Sequence, residues 1–349
     1  MCRHHAVAAP GRGEQARDTG LAGVGFALLN DYQHGFPLVE QPFAELARRH
    51  GVDEADVLER FSGWLDDGTI SRVGGVLAPG RIGASALVAL AVPPAEVDAV
   101  AARVSALPEV NHNYLREHEI NLWFVITART GADFSAVVTR IERETGYPAI
   151  VLPLEEAFHI DLGFDLDAHK RRACRPAAEV RPAGDRPCLL PAVAERLLGA
   201  LQDGLPIVPR PYAEIGRRVE LSGERVSEMI SDWLADGTFK RFGVVVRHHE
   251  LGFVANAMCV WDVPDHVASA LGGALAREPG VTLCYRRRRA APVWRYNLFC
   301  MIHGRARDEV RAIRDAITGR HGLDRWPHAT LFSTRRFKQC GARYFGRPA

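Results

Sequence analysis

Nothing in this chain of 349 residues sets cysteines at metal-ligand spacing. The seven of them, Cys2, Cys174, Cys188, Cys259, Cys284, Cys300 and Cys340, are odd in number and scattered, with no Cys-x-x-Cys pair. That argues against a disulfide framework and against a zinc ribbon. No uninterrupted apolar run is long enough to span a bilayer. The first twenty residues mix Arg, His, Gly and Pro without the apolar core of a secretory signal. A reducing cytoplasm is the expected compartment. Large excess charge is missing too: a net charge of +2 is little for a chain built mainly to grip nucleic acid. Nor is a nicotinamide-binding fingerprint present. What remains, at 47% hydrophobic and 25% charged residues, is ordinary globular composition, long enough for two cores.

The chain repeats itself. Gln33, Gly35 and Pro37 recur as Gln202, Gly204 and Pro206, and Val57, Phe61, Trp64 and Leu65 as Val226, Ile230, Trp233 and Leu234. Asp67-Gly68-Thr69 recurs as Asp236-Gly237-Thr238, and Arg72 and Gly74 as Arg241 and Gly243. So many matches at one offset indicate duplication. Each copy begins with three helices. In the first, Gly51 should end the second helix and Asp53 cap the third. A strand over 70–77 follows, then strand, helix, strand, strand, helix, strand, with the last strands expected at 149–153 and 329–333. That order fits a ferredoxin-like βαββαβ sandwich. The expected fold class is α+β: a tandem repeat of a winged helix-turn-helix plus a ferredoxin-like domain. Its predicted layout is a tail (1–20), helix-turn-helix (21–78), ferredoxin-like domain (79–164), linker (165–189), helix-turn-helix (190–247) and ferredoxin-like domain (248–345). This pattern resembles the Lrp/AsnC regulators over residues 21–335.

The regulator reading meets an electrostatic objection. The first copy's third helix carries Asp53, Glu54, Asp56, Glu59, Asp66 and Asp67 against Arg60. The second carries Glu220, Glu224, Glu228, Asp232 and Asp236 against Arg225. Acidic helices are repelled by phosphates, so specific DNA binding is not expected.

The chemistry should lie in two hairpins. His-Asn-Tyr-Leu-Arg-Glu-His at 112–118 with Asn-Leu-Trp-Phe-Val at 121–125 is echoed by Leu-Cys-Tyr-Arg-Arg at 283–287 with Trp-Arg-Tyr-Asn-Leu-Phe at 294–299. With Arg-His-His-Glu-Leu-Gly-Phe-Val-Ala-Asn-Ala-Met at 247–258, these motifs resemble the two subunit types of the sirohaem decarboxylases, fused into one chain. The motifs depart from that pattern at Val293 and Arg295. The resemblance implies non-oxidative loss of the acetate carboxylates at carbons 12 and 18 of sirohaem, an iron macrocycle with eight carboxylates. It implies no cofactor beyond that iron tetrapyrrole. The expected assembly is an intramolecular pseudo-dimer that forms a homo-oligomer or joins related subunits.

Such a substrate needs guanidinium groups at a rim, because their fork matches a carboxylate. Arg116, Arg287 and Arg247 are the candidates, whereas Arg288 and Arg289 read as a solvated run. His112 is a candidate proton donor or ligand of the substrate iron, imidazole titrating near neutrality. His248 is its expected partner, preferred to His249 because it shares strand parity with Val244 and Val246. Tyr114 and Tyr285 either hydrogen-bond propionates or stack on the ring. Asn297 and Asn256 are polar candidates, the latter aligned with Leu87. His303, in place of Thr127, either supports the site or belongs to the core. A tandem regulator and a haem sensor remain as alternatives.

Overall fold

A computed structural model describes residues 23–78, 80–160, 190–247 and 255–345. The expected tail, the linker and the pair His248 and His249 lie outside the described residues.

Three helices open each copy: α1 (23–31), α2 (Pro42–His50) and α3 (Glu54–Asp66), then α6 (Ala192–Leu201), α7 (Pro211–Val219) and α8 (Gly223–Ala235). Gly51 ends α2 in the left-handed conformation at φ 65°, as expected, where a Cβ would be strained. Asp53 takes the N-cap position of α3, but its side chain makes no capping bond. Its counterpart Ser222 does cap, accepting from the Arg225 amide at 3.1 Å.

The strands that follow, β1 (Ile70–Leu77) and β6 (Phe239–Val246), form no hairpin of their own. They pair with each other, antiparallel, with Gly74 opposite Gly243. At Gly243 a Cβ would fall 2.3 Å from the Tyr32 carbonyl, so only glycine fits there. The two helical trios and this ribbon share one core containing Phe43, Phe61, Ile215, Ile230 and Phe242.

The ferredoxin-like units run β2 (Ala84–Leu90), α4 (Val97–Ala106), β3 (Val110–Arg116), β4 (Leu122–Ala128), α5 (Gly131–Thr145), β5 (Ile150–Ile160), and then β7 (Ala255–Trp261), α9 (Asp265–Leu275), β8 (Val281–Arg287), β9 (Leu298–Gly304), α10 (Arg307–His321), β10 (His328–Gln339). Both last strands are longer than expected. Their outer halves, around Glu155-Glu156 and Arg335-Arg336, are charged, so a reading by hydrophobicity stops short of them. They pair across copies, β5 with β8 and β10 with β3. The two four-stranded sheets thereby close into one eight-stranded barrel, β10-β3-β4-β2-β5-β8-β9-β7, and leave no open edge. The expected strand from 294 begins only at Leu298; Trp294 instead forms a turn bridge with Ala290.

Helices cover each sheet outside, over separate cores. Inside, Leu87, Trp123 and Leu152 of one copy meet Met258, Tyr285, Phe299 and Leu331 of the other. The hairpin-turn end is stoppered by Trp294, whose ring lies 4.8 Å from that of Trp123 and 5.5 Å from that of His118. Among the described residues no helix is long and apolar enough to cross a membrane.

Candidate functional site

Strand parity builds the site. His112, Tyr114 and Arg116 alternate along β3 and share its inner face, while Asn113 points outward and donates to the Ala101 carbonyl and Ser105 Oγ at 3.2 and 3.0 Å. In β8, Leu283, Tyr285 and Arg287 face inward and the Cys284 thiol meets the Gly272 carbonyl of α9. Arg116 and Arg287 are related by the repeat and held alike. Arg116 Nη1 donates to the Leu331 carbonyl at 3.1 Å and Arg287 Nη1 to the Leu152 carbonyl at 2.8 Å. Each guanidinium lies over its own strand's tyrosine, at 5.6 and 4.6 Å from the ring centres.

These groups line a cavity of about 780 Å³ between the open end of the barrel and the helix-turn-helix units. His112, Tyr114, Arg116, Arg247, Asn256, Tyr285, Arg287 and His303 all face it. Asn297 does not. Its amide is spent on the Val263 backbone, accepting from the amide at 3.0 Å and donating to the carbonyl at 3.1 Å. Asn121 does the same to Val92. The repeated asparagine is therefore a loop clamp, which corrects the expectation for Asn297. Asn256 also moves. It pairs with His303 as Ser85 pairs with Thr127, so its counterpart is Ser85 rather than Leu87. Of the run 286–289, Arg287 alone faces the cavity; Arg289 is ion-paired to Asp262 and Asp265. Val293 and Arg295 lie at the stoppered end, Val293 exposed and Arg295 paired with Asp262.

Among the described residues, six arginines line the cavity (Arg72, Arg81, Arg116, Arg129, Arg247, Arg287) against two carboxylates, Glu155 and Glu156. Arg72, Arg116, Arg247 and Arg287 each bury an Nε–H that has no hydrogen-bond partner among the described residues. A buried unpaired donor is costly, and an anion in the cavity relieves that cost. Burial raises the Tyr114 phenol pKa, so it stays protonated and able to donate.

Neither buried histidine titrates near neutrality, which corrects the expectation for His112. Burial, with the charge of Arg72 adding to it, lowers His112 to about 4; burial, with Arg116, lowers His303 to about 4. Both are neutral at pH 7. Hydrogen bonding selects the tautomer of each. Asn111 gives its NH₂ to Thr127 Oγ1 at 3.4 Å and turns Oδ1 to His112 Nδ1, which donates. Thr282 gives its proton to the Met301 carbonyl and so accepts from His303 Nδ1 at 2.8 Å. In each ring Nε2 is left with its lone pair. Between pH 6.5 and 4 the unfolded chain binds protons that the fold refuses, so stability must fall as pH falls through that window. Melting temperatures at about pH 7 and about pH 5 should show this drop, and it should be smaller in His303→Gln. An equal drop in both proteins would contradict the assignment.

Comparison with known proteins supplies the family. The family described as "AsnC-like ligand binding domain" matches residues 81–159 and 250–338, and "Siroheme decarboxylase NirDL-like HTH domain" matches 27–70 and 194–239. The NirDL subunit of siroheme decarboxylase from Paracoccus denitrificans is 43% identical over 318 residues, covering 90% of this chain and 95% of that protein. The chain belongs to the sirohaem decarboxylase family. About two fifths of it aligns with nearly a whole subunit elsewhere in the family. The NirD subunit of Stutzerimonas stutzeri is 50% identical over 139 residues, 40% of this chain and 91% of that one. A crystal structure of siroheme decarboxylase NirDL with an iron-uroporphyrin III analogue superimposes with a TM-score of 0.66 at 27% identity, covering 93% of this chain and 94% of that one.

Besides the sirohaem decarboxylase motifs of the two hairpins, the cavity takes residues from other segments that carry no such motif. Arg72 comes from β1, Gln202 from the end of α6, Gln339 from the last position of β10, and Cys340 and Tyr344 from the segment after it. The only sequence signal for them was the repeat pairing Arg72 with Arg241 and Gln33 with Gln202.

Proposed function

We propose that this chain is a sirohaem decarboxylase, a carboxy-lyase that removes the acetate carboxylates at carbons 12 and 18 and yields 12,18-didecarboxysirohaem. The observation that supports it most is the shared cavity, walled among the described residues by six arginines, four of which have buried Nε donors with no partner among those residues. A macrocycle with eight carboxylates supplies the missing acceptors. The inward apolar faces of Leu87, Trp123, Met258 and Met301 suit a flat ring.

Each step replaces the bond from a CH₂ group to CO₂⁻ by a bond to a proton, releasing CO₂. The electron pair left on the carbon enters the conjugated ring, so no redox partner and no further cofactor is invoked. A scissile carboxylate clasped by arginine would be stabilised in the ground state, so the arginines serve the retained groups. His112 Nε2 either receives and delivers the proton or ligates the substrate iron, and His248 is the proposed partner. The carboxylates of bound substrate oppose the desolvation that keeps His112 neutral, raising its pKa and allowing it to carry a proton. The reaction is placed in the cytoplasm, and the acidic α3 and α8 are read as packing units without specific DNA binding.

Anaerobic incubation with sirohaem should give a tetrapyrrole lighter by two carboxyl groups. Recovery of bound but unchanged sirohaem would instead favour a sensor. Arg287→Ala should weaken binding roughly tenfold or more, the worth of a charge-assisted hydrogen bond, with a smaller change in the saturated rate. A variant with normal affinity and a collapsed rate would reverse the role given to Arg287.

A further inference from the structure

The two repeat-related arginines of the ribbon have diverged. Arg241 is buried, its Nη1 donating to the Gln33 and Val244 carbonyls at 2.5 and 3.0 Å, and it does not reach the cavity. Arg72 lines the cavity. Its Nη2 donates to the Gly75 carbonyl at 3.0 Å, its Nε is buried without a partner, and among the described residues no carboxylate pairs with it. The acids that act on its charge are the Cys340 thiol and, after it, Asp203, and Asp203 is engaged by Arg343.

Room has been made for this side chain. A Cβ on Gly341 would lie 2.8 Å from Arg72 Nη1, and one on Gly204 would lie 2.6 Å from Arg72 Cβ. Gly341 follows Gln339, the strand partner of His112, and the Cys340 amide donates to the Asn111 carbonyl at 2.8 Å. The guanidinium therefore sits at the His112 end of the cavity.

We propose that Arg72, carried by the first helix-turn-helix unit, binds an acetate carboxylate that the reaction leaves in place and makes the cavity selective for acetate-bearing tetrapyrroles. This rests on the tetrapyrrole reading above. Two of the four acetates of sirohaem survive the reaction. Holding one of them presents a neighbouring ring edge to His112 without stabilising a scissile group. It also gives the helix-turn-helix unit a task at the site: it contributes an anion-binding group to the roof of the cavity.

The test is a spectroscopic titration with iron uroporphyrin III, which has acetates, and iron coproporphyrin III, which has methyl groups in their place. Wild type should prefer the first. Arg72→Gln should weaken the first roughly tenfold or more and leave the second unchanged. Arg72→Lys should restore part of the preference, and Gly341→Val, which displaces the guanidinium without removing it, should lose it. Arg241→Gln should melt at lower temperature and keep the preference. Arg72→Gln weakening both rings equally, or neither, would overturn the proposal, as would loss of preference in Arg241→Gln. Wild type binding neither ring would sink the tetrapyrrole reading itself and this inference with it.

Discussion

His112→Ala is expected to bind sirohaem and to turn it over about 10²–10⁴-fold more slowly, the usual worth of a positioned general acid. Proton delivery occurs only in the transition state, so its loss falls on the rate. The arginine contacts that hold the ground state are untouched, since Arg116 and Arg287 are fixed by the Leu331 and Leu152 carbonyls and not by the imidazole. With Nδ1 engaged by Asn111, Nε2 is the ring nitrogen whose loss should set the rate. If Nε2 ligates the substrate iron, the absorption bands of bound sirohaem should shift in the variant too. Single-turnover rates at saturating sirohaem decide the matter, and an unchanged rate would remove His112 from the mechanism.

Either half of the chain alone should be inactive, and co-expressed halves, divided within 165–187, should regain turnover. The barrel gives the reason. A single half has a four-stranded sheet, β3-β4-β2-β5 or β8-β9-β7-β10, whose edges are paired only by the other half. Its inner face, with Trp123 and Leu152 or Phe299 and Leu331, would be exposed to water. The cavity would also lose either His112 and Arg116 or Arg287 and His303. Full activity from one isolated half would refute the shared cavity.

Much of this was legible because strands alternate. Tyr-x-Arg in both hairpins placed two residues on one face, and a face that is polar in both copies needs a reason beyond packing. The expectation that the asparagine needed the same reason was wrong for Asn297. A buried amide clamping a loop through two backbone bonds has a purely structural cause, and residue spacing does not distinguish the two. The closed barrel was hidden because Glu155-Glu156 and Arg335-Arg336 interrupt the apolar pattern in the outer halves of β5 and β10. Arg72 was hidden for a different reason. Its role depends on Gly341 and Gly204, distant in sequence, leaving space beside it. The neutral histidines were equally out of reach, since burial sets their titration and burial is a property of the closed barrel.

The central claim is that one cavity, built from both halves, replaces two carboxyl groups of sirohaem by protons without oxidation. Incubating the full chain with sirohaem anaerobically in D₂O, with no added electron acceptor, tests it most directly. The expected product lacks two carboxyl groups and carries one deuterium in each new methyl group, with two equivalents of CO₂ released. Unchanged sirohaem, or loss of carboxyl groups only when an oxidant is supplied, would contradict it.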